Sequence, residues 1–145
     1  METKYTIIVS VVAGTVVRNW CEKWEEERDM RSREELHQEL RRRILSLSDV
    51  TERQNAGIHE DAFFVGRKMF MHIHGHGYCD IQLAKDDQER VLAEGKARPH
   101  RWAPEAGYVT AIVREEKDLE PAMDLVRMSH RYLGKKQNLL RIQHQ

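Results

Sequence analysis

The chain has 145 residues, 40% of them hydrophobic and 33% charged, the composition of one globular domain rather than a disordered segment. Its 24 basic and 24 acidic residues cancel, which argues against a nucleic-acid partner held by bulk positive charge. Cys21 and Cys79 lack CxxC spacing, which argues against a thiolate zinc site and fits a reducing compartment.

The first element is an uncharged run, residues 5–17 (YTIIVSVVAGTVV), which Tyr5 opens and Val17 closes between Lys4 and Arg18. Thirteen helical residues would span about 20 Å, short of the roughly 30 Å of a bilayer core. Nine of the thirteen are Val, Ile or Thr, which favours a strand or a buried segment. The run reads as buried in the fold or in a partner; a short membrane anchor is the less favoured alternative and the apolar core of a signal peptide the least, since no small-x-small cleavage site stands out. The expected localisation is therefore cytoplasmic, or peripherally membrane-associated through this run.

Residues 22–35 are strongly charged and read as a solvated helix or linker. Ser32 with Glu35 fits a capping box, and Leu36, Leu40, Ile44 and Leu47 follow at helical spacing. Three short strands come next, over 58–65, 68–74 and 78–84, joined by turns at Gly66-Arg67 and Gly75-His76-Gly77. A helix over 86–94 ends before Gly95, and a Pro-, Arg- and His-rich loop leads to a strand over 108–113. The last helix starts near Asp118, a good N-cap, and presents Leu119, Met123, Val126, His130 and Leu133 on one face. His130 is expected to be a satisfied core histidine, and His37 and His144 to be surface residues. The fold class is α+β: a small antiparallel sheet, a three-strand meander plus a fourth strand, covered on one face by helices. The order is α-β-β-β-α-β-α after an N-terminal apolar segment. The expected divisions are 1–31, a domain over 32–134, and a polar tail over 135–145.

Alternation along 68–74 puts His72 and His74 on one face. Closing the second hairpin over Gly75-His76-Gly77 sets His74 opposite Tyr78 and His72 opposite Asp80. Ile73 then meets Cys79, Met71 meets Ile81 and Met69 meets Leu83, all apolar, which supports that register. The same treatment of the first hairpin sets Phe63 opposite Phe70, Asp61 opposite His72 and His59 opposite His74. One sheet face would then gather His59, Asp61, Phe63, Phe70, His72, His74, Tyr78 and Asp80. An imidazole between carboxylates is held in one tautomer and can take a proton from a phenol or enol. Three readings of this face stay open: a wet polar surface, a catalytic or ligand site, and a metal site of His72 and His74 completed by Asp80 or His100. His100 sits in the loop before the fourth strand, beside Trp102, and Tyr108 opens that strand.

These residues resemble a known family. The stretches GRKMFMHIHGHGYCDIQLA, LAEGKARPH and GYVTAIVREEKDLEPAMDLVRMSHRYL are similar to the luciferase domain of fungal luciferases and of many small bacterial and fungal proteins. His72 and His74 match its His-x-His, His100 its histidine after a glycine (here Gly95), and Asp80 the acidic residue usual in bacterial members. The order of elements also resembles the YjbR-like and TfoX-like α+β domains, which bears on fold. The luciferase resemblance implies an enzyme that oxidises a hydroxylated pyranone with molecular oxygen, without flavin or nicotinamide. It implies a base from His72 or His74, with Asp80 and His100 beside it, and walls from Phe63, Phe70, Tyr78, Trp102 and Tyr108. No organic cofactor is expected; molecular oxygen is the co-substrate, a small molecule the partner, and a metal ion an alternative. Nothing in the sequence sets an oligomeric state. The rival class is a non-catalytic ligand- or protein-binding module on the same face.

Overall fold

The computed structural model describes residues 18–55 and 59–143. Residues 5–17, the His59 side chain and His144 lie outside the described residues. The chain divides into two compact units, Met1–Ser32 and Arg33–Gln145. No described helix is long and apolar enough to cross a membrane.

Helix α1 (Arg18–Leu45) runs without a break through Ser32 and Glu35, so the capping box expected there does not form. The stretch has no Gly or Pro and is rich in Glu and Arg, good helix formers, and nothing in it stops a helix. Its Leu40 and Ile44 are fully buried, as their spacing predicts.

The sheet has six strands in the order β1-β2-β3-β4-β6-β5, where four were expected. Strands β2 (His59–Val65), β3 (Lys68–His74) and β4 (Tyr78–Gln82) are the predicted meander. Helix α2 (Lys85–Ala93) and strand β6 (Tyr108–Ile112) follow where the sequence put them. The additions are both edges. Strand β1 (Val50–Asn55, VTERQN) carries little apolar alternation and pairs only with β2. It is held by charge: Arg41 forks onto Glu52, and the Arg53 guanidinium lies 4.4 Å from the Phe64 ring centroid. Strand β5 (Arg98–Pro99) is two residues long with a proline, which an edge tolerates.

The second hairpin has the predicted register, with His72 opposite Asp80, His74 opposite Tyr78, Met71 opposite Ile81 and Ile73 opposite Cys79. Strand β4 ends at Gln82, so Leu83 does not pair with Met69, which faces Phe64 instead. The first hairpin starts as expected, with Val65 opposite Lys68 and Phe64 opposite Met69. The register then shifts, Phe63 falling opposite Met71 and Ala62 opposite His72. Phe70 is the extra residue of a β-bulge, and everything before Phe64 on β2 changes face relative to β3. Phe63, Phe70, Met71, Ile73, Cys79, Ile81 and Val109 all lie in the core.

Helix α3 (Leu119–Gln143) adds Ala122, Met123, Leu125, Val126 and Leu133 to that core. The Asp118 carboxylate accepts from the backbone N–H of Arg114 and Glu115, a cap for the short 3-10 turn that leads into it. The polar tail expected after Gly134 is helical as far as Gln143, and the Gln137 amide donates to the Val65 carbonyl.

Gly77 closes the turn between β3 and β4 at φ +77°, and a Cβ there would lie 2.0 Å from the Val113 carbonyl oxygen. The Gly77 carbonyl accepts from the Val113 amide at 2.9 Å, locking the turn to the end of β6. Gly77→Ala is expected to cost more than the roughly 1–2 kcal/mol of a left-handed backbone alone, because main chain must also move. Urea unfolding of the two proteins measures it; a loss of less than about 0.5 kcal/mol would contradict the reading.

Candidate functional site

The site is built across three neighbouring strands. Adjacent pairing of β3, β4 and β6 puts His72, Asp80 and Thr110 in one row, since Asp80 faces both of the others. Residues directly opposite share a sheet face, so this row points away from the face that carries Met71, Ile81 and Val109. His74 and Tyr78 extend the row at one end, and Gln82 and Tyr108 at the other. Ala62 on β2 stands opposite His72.

Asp80 is the centre. It is 3% exposed, and one of its oxygens, Oδ2, lies 3.1 Å from His72 Nε2 and 2.9 Å from His74 Nε2. His100 Nε2 comes within 3.2 Å of the same atom from the loop before β6. The other oxygen, Oδ1, accepts from the Thr110 hydroxyl at 2.5 Å. Burial alone would raise the Asp80 pKa. Hydrogen bonds from His72, Thr110 and His74 outweigh it and hold the carboxyl well below the usual carboxylate range. An ionised carboxylate only accepts hydrogen bonds, so the Nε2 atoms of His72 and His74 are its donors. That fixes the tautomer and leaves Nδ1 as the proton-accepting nitrogen of each neutral ring.

The surrounding groups follow the same field. Burial, then the Asp80 charge, raises the Tyr108 phenol, whose ring centroid is 5.8 Å from that of His72 and 6.2 Å from that of His100. Burial, then Asp80, pushes the Cys79 thiol up to about 12, and Cys79 packs in the core as an inert hydrophobe.

Of the residues proposed from sequence, the fold gathers His72, His74, Asp80, His100 and Tyr108. Tyr78 sits at the rim, its hydroxyl 3.4 Å from an Arg114 nitrogen. Trp102 is 74% exposed, its ring centroid 6.4 Å from that of His100. Phe63 and Phe70 are not brought to the site; the bulge turns both into the core. Asp61 is also turned away and pairs with His37, so His37 is a partly buried partner rather than a surface residue. His130 is satisfied by the Ser48 carbonyl at 2.7 Å, but it is half-buried at the edge of the core rather than within it. Among the described residues, the donor atoms that lie within 4.8 Å of one another are those of His72, His74 and Asp80. Thr110 was missed, although it is two residues after Tyr108 and so on the same face.

This geometry falls within a recognised family segment. Residues 67–129 match the family model described as Luciferase domain. Over that segment the chain is similar to the luciferase domain. The matched segment of that domain runs from the β2–β3 turn into α3 and contains His72, His74, Asp80, His100, Tyr108 and Thr110. Strands β1 and β2 and helix α1 precede it. No curated protein and no solved structure matches the chain.

Asp80→Asn places an amide N–H₂ among groups that need an acceptor. It is expected to destabilise the fold by about 1–3 kcal/mol, and Thr110→Val by about 1 kcal/mol. Chemical denaturation of both variants tests this; an Asp80→Asn protein as stable as the parent would show that the carboxylate is not the anchor of the cluster.

Proposed function

We propose that this luciferase-domain protein is an oxygen-using enzyme, independent of flavin, that acts on a small enolic or aromatic substrate of pyranone type. The observation that supports it is the meeting of two imidazoles and a buried carboxylate on the sheet face away from the core. Asp80 holds the Nε2–H tautomers; His72 Nδ1 is sealed from solvent, so Nδ1 of His74 takes the acidic proton of the substrate while His72 braces the carboxylate. The enolate so formed is the electron-rich carbon to which molecular oxygen adds. His74, with 26% of its side chain exposed, is the more accessible of the two imidazoles, His72 at 5% the less. Tyr108 and Trp102 are the aromatic groups on hand to bound the substrate. Loss of a general base costs about 10²–10⁴-fold in rate.

A second reading has one observation behind it. His72, His74 and Asp80 bring donor atoms within 4.8 Å of one another, a two-histidine, one-carboxylate set of the kind that suits a divalent first-row cation. In that case the imidazole nitrogens would lose their protons to bind the ion, and the ion would supply the acidity for substrate ionisation.

Oxygen uptake over a panel of hydroxylated pyranones and phenols is the test. Turnover by the parent protein, reduced about 10²–10⁴-fold in His72→Asn and His74→Asn with circular dichroism unchanged, is the expected result. Uptake equal to the parent in both variants would overturn the proposal. Elemental analysis of the active protein separates the two readings: stoichiometric metal selects the second, and full activity after exhaustive chelation the first.

A further inference from the structure

The Nδ1 atom of His100 is engaged by its own loop. The backbone N–H of Ala103 donates to His100 Nδ1 at 3.0 Å, three residues along the chain, closing the turn of the loop on the imidazole. That nitrogen must therefore carry a lone pair, and the proton of the neutral ring is on Nε2. A proton on Nδ1 would set N–H against N–H inside a loop whose histidine side chain is only 14% exposed. His100 Nε2 is the atom that reaches the site, 3.2 Å from Asp80 Oδ2.

We propose that His100 is a fixed neutral hydrogen-bond donor at this site, and neither its base nor a metal ligand. The base nitrogen must offer a lone pair to the substrate, and the lone pair of His100 is already taken by the Ala103 amide. A metal ligand must offer a lone pair from Nε2, and that nitrogen carries the proton. What remains is a single N–H 3.2 Å from Asp80 Oδ2, able when substrate enters to donate to an oxygen on which negative charge develops. The ligand chemistry it selects is an oxygen acceptor, a carbonyl or enolate, next to the acidic position. The inference rests on the enzyme reading for the catalytic use of the donor, whereas the tautomer itself follows from the loop alone.

The loop gains a role by the same argument. His100, Trp102 and Ala103 lie between β5 and Gly107, and the hydrogen bond from Ala103 ties their backbone to an imidazole that touches Asp80. The exposed Trp102 indole, with the Arg101 guanidinium 5.2 Å from its ring centroid, is carried on that same turn. His100 thus positions the loop against the site as well as donating into it.

Nitrogen NMR on ¹⁵N-histidine-labelled full-length protein at pH 7.5 decides the tautomer without any substrate. The His100 ring is expected to show protonated Nε2 and unprotonated Nδ1, with a coupling across the hydrogen bond to the Ala103 amide that assigns it. A protonated Nδ1, or an averaged mixture of tautomers, overturns the proposal. Added Zn²⁺ is the second arm: His100 is expected to keep its Nε2 proton, and loss of that proton on metal addition overturns it. If the enzyme reading holds, His100→Ala lowers kcat by about 10²–10³-fold, the loss of one preorganised donor. His100→Gln, which restores an N–H, recovers most of it, and the pH profile stays that of the parent because the base is elsewhere. Should no substrate turn over, the NMR result still stands or falls by itself.

Discussion

A single buried carboxylate organises this molecule. Asp80 lies on β4, between β3 and β6, out of water, and remains ionised because hydrogen bonds from His72, His74 and Thr110 and the approach of His100 outweigh its burial. An uncompensated charge at that depth would cost several kcal/mol, so the donors are a condition of the fold as much as of any chemistry. The same arrangement dictates tautomers, since a carboxylate accepts and each imidazole must therefore offer an N–H. Structure and reactivity at the site are consequences of one ionisation state.

The scaffold that delivers these groups is simple. Strand alternation sets His72 and His74 on one face, the Gly75–Gly77 turn brings Asp80 back against them, and pairing with β6 adds Thr110 and Tyr108. The opposite face is sealed by Leu40 and Ile44 of α1 and by the apolar side of α3. Because core and site occupy the two faces of the same three strands, packing errors in one are felt in the other. Gly77 marks the place where this is tightest, with Val113 main chain against it.

The second hairpin was legible in the sequence because the paired positions, Met71 to His74 on β3 and Tyr78 to Ile81 on β4, match in character across the strands, so only one register satisfies both faces. The first hairpin was misread at a single residue. Phe70 looks like any strand phenylalanine, and nothing in the string KMFMH announces that two residues there oppose one; the bulge reverses the faces of Asp61 and Phe63. Strand β1 was missed because its pairing is made by main chain and by Arg41–Glu52, not by an apolar stripe. The helix through Ser32 was misjudged because a good capping signal is also compatible with mid-helix solvent exposure. At the site, the histidines and Asp80 were accessible to pattern reasoning, whereas the Ala103 bond to His100 depends on loop geometry that no spacing encodes.

The claim on which the rest depends is that Asp80 stays charged while buried among imidazole donors. The most direct measurement is the carboxyl ¹³C shift of Asp80 followed by NMR as the folded protein is acidified. An ordinary aspartate is half protonated near pH 3.9. The Asp80 resonance should still be that of a full carboxylate at about pH 4, whereas a midpoint at or above the ordinary value would contradict the account.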